Sequence, residues 1–143
     1  MPNTTHPWLP EDTDETFDPL AHADVTPSPK TPLVVTPRGG DREVGRSCYQ
    51  VDTQHGRYLI DCGLNQGTGD KFPDLRGLQP QSIDAVFLTH AHVDHCGGLP
   101  VLENRNLLAD DAPIVATPPT ASIALLMLED SLKIHRRETD GSQ

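Results

Sequence analysis

From Thr31 onward, short apolar and β-branched runs alternate with Gly- and Asp-rich breaks, a rhythm that predicts strands. Leu33-Val34-Val35 reads as a strand running into a Gly loop at Pro37-Arg38-Gly39-Gly40. Ser47 to Asp52 and Arg57 to Asp61 are two further runs, and Thr53-Gln54-His55-Gly56 between them predicts a hairpin. The second run stops abruptly at Asp61-Cys62-Gly63. Residues 67–81 are polar and Gly-rich, as a loop would be. Within Ile83 to Leu88, Ala85-Val86-Phe87-Leu88 shows no alternation, which predicts a strand buried on both faces. Ala112 to Ala116 makes one more strand.

Helical spacing takes over in two places. Asp94 to Asn104 predicts a short helix carrying Leu99, Val101 and Leu102. Thr117-Pro118-Pro119-Thr120 reads as a helix start, with Thr caps and Pro in the first turn. The helix should run from about Thr120 to Arg137. Its apolar side would be Ile123, Leu126, Met127 and Leu128, continued by Leu132 and Ile134. Lys133, Arg136 and Arg137 suit its C-terminal dipole. Strands followed by strand, helix, strand, helix give an α/β layered architecture, in which a site sits at strand ends.

Residues 1–30 break the rhythm. They hold six prolines, six acids and one base, Lys30, with too few apolar residues to offset ordering entropy, and read as a disordered arm. Trp8, Leu9 and Phe17 could form a short docking motif there, but a solvated tail is the simpler reading. His6 and His22 carry no assigned role. The net charge is −10, made of 15 Asp and 6 Glu against 3 Lys and 8 Arg. Such a surface suits a salt-adapted protein or an ordinary acidic one equally, and it lacks the basic footprint of a protein that grips nucleic acid by charge alone. Cys48, Cys62 and Cys96 form no CxxC pair and no even framework, which points to a reducing interior. The N-terminus has no basic region followed by an apolar run, and Ile123 to Leu128 is too short to span a bilayer. The expectation is a cytoplasmic protein with no membrane partner.

The chemistry lies in Thr89-His90-Ala91-His92-Val93-Asp94-His95-Cys96-Gly97-Gly98. Three imidazoles and a carboxylate directly after a strand are costly to pack without a shared counter-ion, and a divalent metal supplies one. Neutral imidazole suits Zn²⁺, Fe or Mn, and carboxylate extends the range toward harder ions. His90 and His92, two apart at a strand end, can converge on one ion. Asp94 and His95, at the turn into the helix, can face a second. Two ions about 3.5–4 Å apart can hold a hydroxide and clamp the oxygens of an ester under displacement. Cys96 beside the cluster is surplus to this set. A lone HxH is often a surface accident, but HxHxDH between a buried strand and Gly-Gly is a strong signal.

HxHxDH after a strand resembles the metallo-β-lactamase superfamily. The longer run Leu88 to Pro100 resembles its RNA-processing branch, the β-CASP group of the cleavage and polyadenylation specificity factor endonuclease and related prokaryotic ribonucleases. Glu43-Val44-Gly45-Arg46-Ser47-Cys48 is similar to that group's first strand-loop motif, and Leu59-Ile60-Asp61-Cys62-Gly63 to its short aspartate motif. Thr117 to Thr120 with Met127 to Ile134 is similar to the helix that follows. The match covers residues 33 to 136.

The resemblance implies a partial αβ/βα layered fold, its amino-terminal half, over residues 31–143. It implies zinc, one or two ions, with His90 and His92 on the first and Asp94 and His95 on the second. Asp94 and Asp61 are its expected catalytic carboxylates, with Asp61 orienting a ligand by hydrogen bonds. The plainer reading of Asp61 is a turn cap at a strand end. It implies metal-hydroxide attack on an RNA phosphodiester. Family members add another histidine and a bridging aspartate downstream, then an inserted domain with an acid and two histidines. Here His135, in no matching motif, is the only later histidine. Each ion therefore has two obvious ligands, and the chain is expected to be incomplete alone, with a companion chain as one source of the rest. The alternatives are a non-catalytic interaction module and a thioester or lactam hydrolase, the last disfavoured by Cys96-Gly97-Gly98 and Glu43 to Cys48.

Overall fold

The structure, a computed structural model, describes residues 32–140. The expected acidic arm lies outside the described residues, as do the side chains of Leu132, Ile134, His135, Arg136 and Arg137. Five strands form one sheet: β1 (Val34–Gly39), β2 (Cys48–Thr53), β3 (Gly56–Ile60), β4 (Ala85–Phe87) and β5 (Ile114–Val115). Their spatial order is their chain order. β1, β2 and β3 pair antiparallel, whereas β3, β4 and β5 pair parallel. The helices are α1 (Val93–Cys96), α2 (Leu99–Asn104) and α3 (Pro118–Asp140). This is the α/β architecture expected.

β2 and β3 close as the predicted hairpin, with Thr53 opposite Gly56. The single helix expected over 94–104 is instead two short ones. Gly97 and Gly98 separate them, and Gly98 lies so close to the Asp61–Gly63 segment that an added Cβ would stand 2.6 Å from the Gly63 carbonyl oxygen. Close approach, rather than helix continuation, governs that step.

One sheet face packs against α2 and the chain around it. Leu59 and Val86, cross-strand neighbours, are fully buried with Ile83 and Leu102, and Leu99 and Leu107 join them in one cluster. Each such side chain contributes about 1.5–3 kcal/mol on burial. The other face is different. Val35, Val51, Tyr58, Tyr49, Ile60, Phe87 and Val115 are linked by strand register into an apolar band. Phe87 and Val115 are each 43% exposed, so β4 is covered on one face only, not both as expected. No described residue lies over Phe87 to bury it. Tyr58 and Phe87 meet edge to face at 6.1 Å within this band.

Thr117 starts α3: its Oγ1 accepts from the Thr120 N–H, and its carbonyl from that of Ala121. The side of α3 that meets the core is Ala124 with Leu128, so only part of the expected stripe is used. Ile123 and Leu126 are 52% and 65% exposed. Residues of α3, β5 and α2 line an apolar groove that also includes Leu88 and Leu99. Among the described residues no helix is long and apolar enough to cross a membrane.

Leu59→Ala should lose about 2–5 kcal/mol in chemical denaturation, whereas Leu126→Ser should change stability by less than about 0.5 kcal/mol. The Cys62 thiol is pushed well up, first by its hydrogen bond with Cys48 and then by burial. A thiol held neutral in the fold ionises more readily once unfolded. Stability is therefore whole below the unfolded thiol's pKa of about 8.5 and falls as pH rises beyond it. Denaturation midpoints between about pH 8 and 10 should show this decline, and Cys62→Ala should flatten it.

Candidate metal centre

The centre forms where the parallel strands β3 and β4 end side by side. β3 stops because Asp61 adopts a left-handed backbone (φ 62°), a conformation that Asp tolerates better than most residues. The Asp61 N–H still donates to the Phe87 carbonyl, so the turn stays pinned to β4. Its side chain swings beneath the end of β4 and is only 4% exposed. Asp61 does not cap its own turn. Oδ1 accepts from the Thr89 N–H at 2.8 Å, and Oδ2 accepts from Thr89 Oγ1 at 2.8 Å and pairs with His95 Nδ1 at 2.7 Å.

These bonds fix protons. A carboxylate only accepts, so His95 Nδ1 carries the hydrogen, and in the neutral ring Nε2 holds the lone pair. The Thr89 hydroxyl has one hydrogen and gives it to Asp61, so it accepts from His90 Nδ1 at 2.9 Å. His90 Nε2 is thereby also left with a free lone pair. One buried carboxylate sets the tautomer of two imidazoles, one directly and one through a hydroxyl. Sequence reasoning named Asp61 and missed Thr89; its place between strand and first histidine was the available signal.

The turn is held as firmly. His92 is the N-cap of α1, and its carbonyl accepts from the amides of His95 and Cys96. The Asp94 and His95 carbonyls accept from the Ser47 and Cys62 amides, each at 2.9 Å. Gly63 sits directly under Asp94, where a Cβ would collide with the Asp94 carbonyl. Cys96 faces the core, its thiol 3.6 Å from the Ala91 carbonyl and pushed up by burial.

The side chains expected to bind metal are thus brought together. The rings of His90 and His92 lie 4.8 Å apart at 75°, and those of His90 and His95 lie 3.9 Å apart. Zinc–nitrogen bonds of about 2.0–2.1 Å set at a tetrahedral angle place two ring centres about 5 Å apart, which the first pair matches. Two donor atoms on one tetrahedral ion sit roughly 3.4 Å apart. His95 Nε2 and Asp94 Oδ2 are separated by 3.5 Å. The residues therefore fit metal in pairs. Among the described residues, no three His, Cys, Asp or Glu side chains converge as a ready metal-binding group.

Residues 41–107 match the family described as the metallo-beta-lactamase superfamily. The chain is 45% identical over 103 residues to the transcription termination factor FttA of Methanocaldococcus jannaschii, an overlap of 70% of this chain and 16% of that protein. It is 38% identical over 109 residues to Integrator complex subunit 11 of Danio rerio, covering 71% of this chain and 18% of that protein. It is also 38% identical over 101 residues to the probable RNase MJ4 of M. jannaschii, covering 71% and 23%.

The chain belongs to the metallo-β-lactamase superfamily. The family is metal-dependent, and the chain spans between 16% and 23% of the length of these curated relatives.

If Asp61 sets the ligand tautomers, Asp61→Asn should weaken zinc binding about 10- to 100-fold, and Thr89→Val should weaken it by about tenfold. Competition against a chromophoric chelator measures both. Unchanged affinity in a folded variant would remove Asp61 and Thr89 from this role.

Proposed function

We propose that this chain provides half of the metal centre of a hydrolase that cleaves RNA phosphodiesters. In this reading His90 and His92 hold one ion and Asp94 and His95 a second, and imidazole with carboxylate favours zinc. The observation that carries it is the hydrogen-bond chain from Asp61 through Thr89 to His90, and from Asp61 to His95, which makes Nε2 the lone-pair nitrogen of each neutral ring. Packing alone gives no reason to hold two adjacent imidazoles in the ligand tautomer.

Bound at such a pair, a divalent ion supplies a hydroxide near neutral pH and a Lewis acid for a phosphoryl oxygen. Asp61, buried with both oxygens engaged, is a positioning residue and keeps His95 and His90 aimed. Asp94, whose side chain is 40% exposed, is the carboxylate within reach of a reacting group. The names of the relatives, an RNase and a transcription termination factor among them, favour RNA as substrate. The remaining ligands would come from residues outside these 143, in the same or a companion chain.

A second reading, a module that works by pairing with another chain, is favoured by the exposed apolar band across Val35, Ile60, Phe87 and Val115. Zinc titration and a labelled single-stranded RNA assay separate the two. The chain should bind at most one ion per monomer with modest affinity and lose it in His92→Ala. Cleavage should require an added downstream half of a relative. Tight binding of two ions, or cleavage by the chain alone that vanishes in His92→Ala, would overturn the half-site reading. No restoration by any downstream half would favour the pairing module.

A further inference from the structure

Beside the metal centre lies a second, polar cleft of about 470 Å³, lined by Arg46, Asp70, Phe72, Asp74, Arg76 and Arg105. On a chain of net charge −10, three of its eight arginines gather here. A fourth, Arg38, braces the floor. Its Nε donates to Gln50, and its Nη1 donates to the carbonyls of Asp74 and Arg76 at 2.6 and 3.2 Å.

The cations differ in what they have left to offer. Arg46 is engaged: it donates to Glu43 at 2.7 Å, to the Phe72 carbonyl at 3.0 Å and to the exposed Asp70 carboxylate at 3.5 Å, which fixes the loop and offsets that acid. Arg76 is paired along one edge with Asp74, at 2.8 and 2.7 Å, while its side chain stays 88% exposed. That guanidinium holds the Asp74 carboxyl well below the usual carboxylate range, so the pair keeps Arg76 aimed. Arg105, just past the end of α2, makes no ion pair among the described residues. Phe72 is 38% exposed among these cations, an unusual place for one of the chain's few aromatic residues.

We propose that this cleft binds a single-stranded stretch of RNA, with Arg76 and Arg105 gripping backbone phosphate and Phe72 stacking an unpaired base. The proposal deepens the RNA-cleaving reading and rests on it. A nucleotide joins an anion and a flat ring in one repeating unit, and cations around an exposed aromatic face match that combination. An acidic peptide offers the charge without the ring, and duplex RNA hides its bases. The loop is set before any ligand arrives, because Arg38, Arg46 and Asp74 already hold it. It is also rigidly joined to the metal centre. Arg46 precedes Ser47, whose N–H donates to the Asp94 carbonyl, and Leu64 at the loop's start donates to Val93. A strand lying in the cleft is therefore in fixed register with Asp94.

The test uses the 143-residue chain in EDTA with a fluorescent single-stranded RNA of about twelve nucleotides, read by anisotropy across a salt series. Arg76→Gln and Arg105→Gln should each weaken binding several-fold and lower the slope of log K against log salt by about 0.7. Phe72→Ala should weaken it about tenfold with the slope unchanged. All three side chains are at the surface, and thermal melts confirm folding. A double Arg76→Gln/Arg105→Gln variant that binds like the parent, or no RNA binding by the parent at all, overturns the proposal. So does equal affinity of the parent and Phe72→Ala. Zinc titration of the Arg76→Gln/Arg105→Gln variant tells this failure from that of the metal reading: it should keep the parent's zinc affinity while losing RNA. Zinc binding lost without the cleft being affected, or the reverse, identifies which of the two claims has failed.

Discussion

A single carboxylate organises the functional end of this molecule. Asp61 is nearly buried, and its two oxygens take three partners from two different segments, the end of β4 and the turn into α1. Burying a charge is expensive unless every lone pair finds a donor. Here the donors are the Thr89 amide and hydroxyl and an imidazole N–H, so the group that must be satisfied is also the group that aligns the histidines. The left-handed backbone at Asp61 is part of the same arrangement, since an extended residue would carry the carboxylate away from β4. Strain at a strand end and order at the site are linked through one residue.

The backbone around the histidines repeats the logic. Ser47 and Cys62 each donate an amide to carbonyls in the Asp94–His95 step, Gly63 admits that step, and Gly98 admits the Cys62–Gly63 segment, at distances no side chain would allow. The sequence motifs Glu43 to Cys48, Leu59 to Gly63 and the histidine run are distant along the chain. In space they are three walls of one small box. The arginine cleft is built on the outside of the same box, which is why a loop rich in charge can still be rigid.

Much of this was legible in the residues. The hairpin, the strand before the histidines and the Thr-capped last helix follow from local pattern and turn chemistry, and the HxHxDH run marked side chains that the fold brings together. Besides the split of the helix at Gly97 and Gly98, three features were not legible. The burial of β4 depended on what covers Phe87, which no local pattern contains. The α3 stripe was misread in part because large apolar residues at Ile123 and Leu126 outweigh Ala in any hydrophobic count, while the core takes Ala124 beside Leu128. The role of Thr89 was hidden because a hydroxyl between a carboxylate and an imidazole is a three-dimensional relation among residues 61, 89 and 90.

The strand order carries a consequence for how the chain is made. Because each strand lies next to the one before it in sequence, the sheet can be laid down in the order in which a ribosome delivers it. β3 leaves the ribosome before β4, so Asp61 is outside when Thr89 and the histidines arrive. The imidazoles can meet their carboxylate as they leave the exit tunnel, before α3 has emerged beside the neighbouring groove.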